Sequence, residues 1–128
     1  MVENGATIDL NLETVAGAVI VRPSGEIDLN NSPSLRDQLR PLADGQTANV
    51  IFDLSAVTHL DSSAVGTLIE FKRNVNAYGG EIVLAGLQPV VRGMFEIAKL
   101  DHFFAIVTSA EDARHARKEP SRSSGETT

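Results

Sequence analysis

The sequence predicts a single α/β domain in which a mixed β-sheet has helices packed against it, in the order ββαβαβαβα. Three observations lead there. Apolar and polar residues alternate near the N-terminus in two runs separated by a turn, which reads as an antiparallel hairpin. An apolar run, an amphipathic stretch and a second apolar run then follow one another within residues 49–85, and such a βαβ unit joins parallel strands. The same succession recurs more weakly towards the C-terminus. A chain of 128 residues suits one domain of this kind.

The elements follow in order. Ile8, Leu10 and Leu12 alternate with polar neighbours, residues 13–17 form a turn, and Ala18-Val19-Ile20-Val21 leads to Pro23 and Gly25. From Ser32 to Asp44 the spacing of Leu35, Leu39 and Leu42 is helical, with Ser32 as the expected cap and Pro33 at the first helical position. Pro41 puts strain on its last turn. Residues 49–54, Asn-Val-Ile-Phe-Asp-Leu, suit a strand covered on both faces, and 55–60 read as a loop. Between Ser62 and Ala77 a stripe of Ala64, Leu68, Phe71 and Val75, widened by Val65 and Ile69, marks the strongest helix. Tyr78-Gly79-Gly80 ends it, because glycine takes the left-handed conformation at low cost. Glu81 to Ala85 returns as a strand. Pro89 opens a helix with Val90, Met94, Ile97 and Ala98 as its expected core face; Phe104 to Val107 is a strand, and Ser109 to Arg117 a closing helix. Residues 1–5 read as an N-terminal extension, 6–117 as the domain, and 118–128 as a disordered tail without apolar residues to bury.

Composition excludes several function classes. Eleven Lys plus Arg against seventeen Asp plus Glu leave a net charge of −6, the wrong sign for holding phosphate backbones. Nucleic acid is therefore not an expected partner. Zero Cys removes disulfides, thiolate metal sites and cysteine nucleophiles, and fits a cytoplasmic protein. No apolar run approaches the roughly 20 residues of a membrane-spanning helix, and the polar, acidic N-terminus is unlike a signal peptide. Phosphate-binding loops of the GxxxxGK(S/T) or GxGxxG kind and the GxSxG nucleophile elbow are missing. His59, His102 and His115 lack the i, i+4 spacing that presents two ligands on one helical face, so neither metal nor other cofactor is expected.

The sharpest local signal is Asp61-Ser62-Ser63 at the start of the strongest helix. Its plain structural role is an N-cap supplied by Asp61 or Ser62. Its functional role would be a hydroxyl at an exposed helix end, open to phosphorylation or docking. A phosphate there would add about −1.5 to −2 charge, welcomed by helix N–H groups and repelled by Asp61.

Residues 53–66, Asp-Leu-Ser-Ala-Val-Thr-His-Leu-Asp-Ser-Ser-Ala-Val-Gly, resemble the D-L-S-x-V-x-x-L/M-D-S-S/T-G-L/I-G segment of STAS domains, specifically the bacterial anti-sigma factor antagonists. Gly25-Glu26-Ile27-Asp28 resembles the family's G-E-L/I-D, Gly79 to Leu84 its G-G-x-L/I-x-L/V strand entry, and Val90 to Phe95 its V-x-R/K-L/V/M-F/L helix. The resemblance covers residues 6–117. It implies a STAS fold and a binding protein without enzymatic activity. It further implies phosphorylation of Ser62 by an ATP-dependent serine kinase that doubles as the anti-sigma factor. The unphosphorylated form would bind that partner and release the sigma factor, and a serine/threonine phosphatase would restore it. Asp28, Asp61, Ser62, Ser63 and Thr67 are the partner-contacting residues expected on this basis, with Thr67, Glu70, Arg73 and Asn74 on the helix's polar face. Two departures stand out: Ala64 replaces the family's first glycine, where its methyl would narrow a partner's approach, and residues 29–32 lack the common T-A/V pair. The alternative function is a constitutive STAS adaptor in a lipid transport complex or a stress-signalling scaffold. An enzyme using Asp28 and Asp61 as a carboxylate pair ranks last.

Overall fold

In a computed structural model, residues 6–113 are described. Strands β1 (Leu10–Val15) and β2 (Ala18–Pro23) form the hairpin, followed by β3 (Gly25–Ile27) and helix α1 (Ser32–Asp44). Next come β4 (Asn49–Asp53), β5 (Val57–Leu60), α2 (Ser62–Ala77), β6 (Glu81–Ala85), α3 (Pro89–Ile97) and β7 (Ala105–Val107). A five-stranded sheet runs β1-β2-β4-β6-β7, and β3 and β5 make a separate pair. The hairpin is antiparallel and the other ladders parallel, so the sheet is mixed as expected.

Alternation along the central strands builds two cores. Val50 and Phe52 of β4 and Ile82 and Leu84 of β6 join Leu35 and Leu39 of α1, Ala64, Leu68, Phe71 and Val75 of α2, and Val91 and Phe95 of α3. Ile51, Val83 and Ala85 point the other way, with Ala18 and Ile20, into a smaller cluster that includes Ala113. Side chains of one strand face opposite sides of a sheet, so a continuous apolar run signals cover on both faces.

Several elements differ from their sequence reading. The turn of the hairpin is only Ala16-Gly17, where Gly17 has φ of +80°, and β1 extends to Val15. Leu12 faces solvent while Ile8, ahead of the strand, is buried. Helix α1 runs through Pro41 to Asp44, closed by bonds from the Gly45 and Thr47 N–H groups to the Pro41 and Leu42 carbonyls. Asn31, not Ser32, precedes it. Helix α3 turns part of the expected core face outward: Val91 and Phe95 are buried and Met94 packs against the core, whereas Val90 is 58% and Ile97 86% exposed. Segment 57–60, read as part of a loop, is a strand, and so is 25–27, which the sequence pattern assigns to no element. Of the closing helix, Ser109 caps the first turn by accepting the Asp112 N–H; its remainder to Arg117, residues 1–5 and the tail 118–128 lie outside the described residues.

Candidate functional site

The β3–β5 pair positions the site. Gly25 pairs with Val57, Glu26 with His59 and Ile27 with Leu60, and the ladder ends with the Asp61 N–H donating to the Ile27 carbonyl at 3.1 Å. Two segments 32 residues apart in sequence thereby leave the pair side by side. One becomes the loop 28–31 ahead of α1, the other the start of α2.

Asp61 ties them together. Its Oδ1 accepts from the Ser63 N–H (2.9 Å), the Ala64 N–H (3.1 Å) and the Ser63 hydroxyl (2.6 Å), while Oδ2 accepts from the Leu29 N–H at 2.9 Å. It is thus the N-cap of α2 and also a clamp on the neighbouring loop. The Ser63 hydroxyl first, together with the N–H groups of Ala64, Leu29 and Ser63, holds its carboxyl below the ordinary carboxylate value, against the opposing effect of burial. Ser32 extends this network by donating its hydroxyl to Ser63 Oγ at 3.2 Å, so the first turns of α1 and α2 are joined.

The loop itself is fixed at every backbone N–H. Asp28 donates to Asn31 Oδ1 (2.9 Å), Leu29 to Asp61, Asn30 to Asp28 Oδ1 (2.9 Å) and Asn31 to the Asp28 carbonyl (3.1 Å). Asp28 therefore starts a turn, its carboxylate closing an Asx-type ring. Leu29 projects from this loop 74% exposed.

Ser62, the first residue of α2, is exposed, and its hydroxyl has no hydrogen-bond partner among the described residues. Ser63 beside it is half-buried and bonded to Asp61 on both N–H and hydroxyl. Thr67 is not on the polar face: it is 2% exposed and its hydroxyl donates to the Ser63 carbonyl at 3.0 Å. Position 67 lies four residues beyond 63 and one turn above it, on the side that packs towards α1. Ala64 is fully buried, so its methyl fills the core and leaves the approach to Ser62 clear. Gly66 faces open space and serves no close packing.

Asp28, Asp61, Ser62 and Ser63 are thus brought to one end of the molecule, and Thr67 is withdrawn from its surface. Asn31, which braces the site, is not singled out by pattern, and Ser32 is singled out only as a helix cap; their place between a strand end and a helix start is the one hint of a bracing role. No group of His, Cys, Asp and Glu suited to hold a metal occurs among the described residues. Nor is any described helix long and apolar enough to cross a membrane.

A serine displayed at a clamped helix start, on a mixed sheet of this order, defines a class. The STAS domain model matches residues 9–113, and the chain belongs to that family. Within the family it is 29% identical over 104 residues to the anti-sigma-B factor antagonist of Bacillus subtilis (strain 168), covering 81% of this chain and 94% of that one. An anti-sigma factor antagonist from Mycobacterium paratuberculosis superposes with a TM-score of 0.80 at 25% identity, covering 89% and 98% of the two chains. The anti-sigma factor antagonist SpoIIAA shares the fold at 22% identity, with TM-scores of 0.68 unphosphorylated (87% of this chain, 98% of that one) and 0.66 phosphorylated (84% and 99%).

Proposed function

We propose that this chain is an anti-sigma factor antagonist switched by phosphorylation at Ser62. The observation that carries the reading is the Ser62 hydroxyl, exposed and unbonded beside an N-cap whose carboxylate already engages the Ser63 hydroxyl and the N–H groups of Ser63 and Ala64. Unphosphorylated, the surface formed by Asp28, Leu29, Ser62 and their neighbours binds an anti-sigma factor with serine kinase activity and so releases its sigma factor. The kinase transfers the γ-phosphoryl group of ATP to Ser62 Oγ, ADP leaves, and the hydroxyl proton goes to solvent or a base on the kinase. A serine/threonine phosphatase hydrolyses the ester. These ATP-dependent steps place the protein in the cytoplasm.

The phosphate acts by charge. Asp61 Oδ1 already occupies the N–H groups of Ser63 and Ala64 that would otherwise receive an anion. With those two taken, a phosphate on Ser62 lies beside the Asp61 carboxylate, adds like charge there and opposes any partner that fits the unmodified surface. Both carboxylates serve backbone N–H groups, which favours binding over an Asp28–Asp61 catalytic pair.

Incubation with the cognate anti-sigma kinase and ATP should place one phosphate on Ser62, mapped by mass spectrometry. Undiminished labelling of Ser62→Ala would overturn the assignment. Ser62→Asp should weaken anti-sigma binding, and full affinity in that variant would argue for a constitutive adaptor.

A further inference from the structure

We propose that Leu29 is the apolar anchor of this docking surface and that it seats in an apolar pocket, rimmed by cationic side chains, on the anti-sigma factor. The inference rests on the function proposed above and names the residue that gives the contact its affinity. A leucine 74% exposed contributes nothing to the core, yet the loop carrying it is held by four backbone N–H bonds and by Asn31 Nδ2 donating to the Glu26 carbonyl at 2.9 Å. The Asn30 carbonyl also accepts from the Ala6 N–H at 3.0 Å. An aliphatic side chain on a backbone already in place loses little freedom on binding, which is what makes a contact strong for its size. The clamp from Asp61 attaches at Leu29 itself, next to the residue that takes the phosphate.

Charge identifies the partner's rim. Segments 25–32 and 57–63, which form this end of the molecule, contain Glu26, Asp28 and Asp61 and neither Lys nor Arg. Complementary potential across an interface calls for cations opposite them. Ile97, though more exposed, neighbours Glu96, Lys99 and an Arg92–Glu96 ion pair on α3 and carries no such bias.

The test uses the full chain, unphosphorylated, titrated calorimetrically against the purified anti-sigma kinase with ADP bound, after that kinase has been shown to phosphorylate Ser62. Leu29→Ala should weaken binding about tenfold or more, Leu29→Met should stay within about threefold, and neither should move the thermal midpoint. Leu29→Lys should bind worse than Leu29→Glu, because only the lysine repels a cationic rim. Unchanged affinity of Leu29→Ala removes the anchor, and lysine tolerated as well as glutamate removes the cationic rim. Loss of self-association in Leu29→Ala with unchanged kinase binding would assign Leu29 to a second copy of the chain and overturn the proposal. A kinase that leaves Ser62 unmodified sinks the functional reading itself, seen in the phosphorylation assay before any affinity is measured.

Discussion

At the scale of single residues, Asp61 does the most structural work in the site. Its four acceptor bonds cap α2 and hold the loop at Leu29. Asp61→Ala should cost about 1 to 2 kcal/mol in urea unfolding at neutral pH, the usual range for a lost cap. Asp61→Asn should cost less, since its amide oxygen can still cap while its NH₂ cannot accept the Leu29 N–H. The pH dependence follows from the lowered carboxyl pKa. A depressed pKa contributes stability that is present above the unfolded value of about 3.9 and is lost as pH falls through the folded value below it. The gap between wild type and Asp61→Ala should therefore narrow only below about pH 4. A gap that closed between pH 6 and 5 would show that another group controls it. The neighbouring position 64 shows how a residue's neighbours decide its meaning: an alanine that looks like an obstacle to docking is a core residue, because α2 turns that face inward.

Among elements, the end of α2 is as closely determined as its start. Gly79 takes φ of +90° and donates to the Asn76 carbonyl, while Gly80 donates to the Val75 carbonyl at 2.9 Å, the paired bonds of a Schellman ending. A Cβ at Gly80 would lie 2.7 Å from Val75 Cγ1 and 2.9 Å from the Ala48 carbonyl oxygen. Gly80→Ala should thus destabilise by about 1 to 3 kcal/mol, as overpacking does, without changing Ser62 phosphorylation at low temperature; an unaltered unfolding midpoint would contradict the close approach. This glycine pair, the stripe of α2 and the apolar runs of β4 and β6 were legible in the sequence because each is set by local periodicity. The β3–β5 pair was not. Three and four residues are too few to show a period, and Glu26, Thr58 and His59 look like loop residues until the ladder between distant segments forms. In helix α3 the pattern keeps Met94 on the core but misplaces Val90, because Val90 and Val91 are both apolar and only packing of Val91 and Phe95 onto the core chooses between them. For the same reason Ser62 was visible from its motif, whereas the clamp that turns Asp28, Leu29 and Asp61 into one surface was hidden: it is made of tertiary hydrogen bonds.

For the whole molecule, the question is how far a phosphate at one helix start is felt. The net charge of −6 would become about −7.5 to −8, but the site lies at one end, outside both apolar clusters. The main core is closed by edge-to-face contacts of Phe52 with Phe71 and of Phe95 with Phe104, at centroid distances of 5.7 and 5.6 Å. Ser62 belongs to neither cluster, and its hydroxyl breaks no bond on modification. Surface changes of that kind usually alter stability by less than about 0.5 kcal/mol, so phosphorylation should move the thermal midpoint by no more than a few degrees. Amide chemical shifts should change within residues 28–31 and 61–65 and stay fixed at Ile20, Ile51 and Leu84 in the sheet. The anti-sigma affinity lost on phosphorylation should be partly regained as salt rises towards 1 M, where the screening length falls to about 3 Å. Shift changes spread across the sheet, or a loss of binding indifferent to salt, would mean that the phosphate acts by refolding the domain. The present geometry predicts the opposite: a rigid body whose switch is the field at one surface.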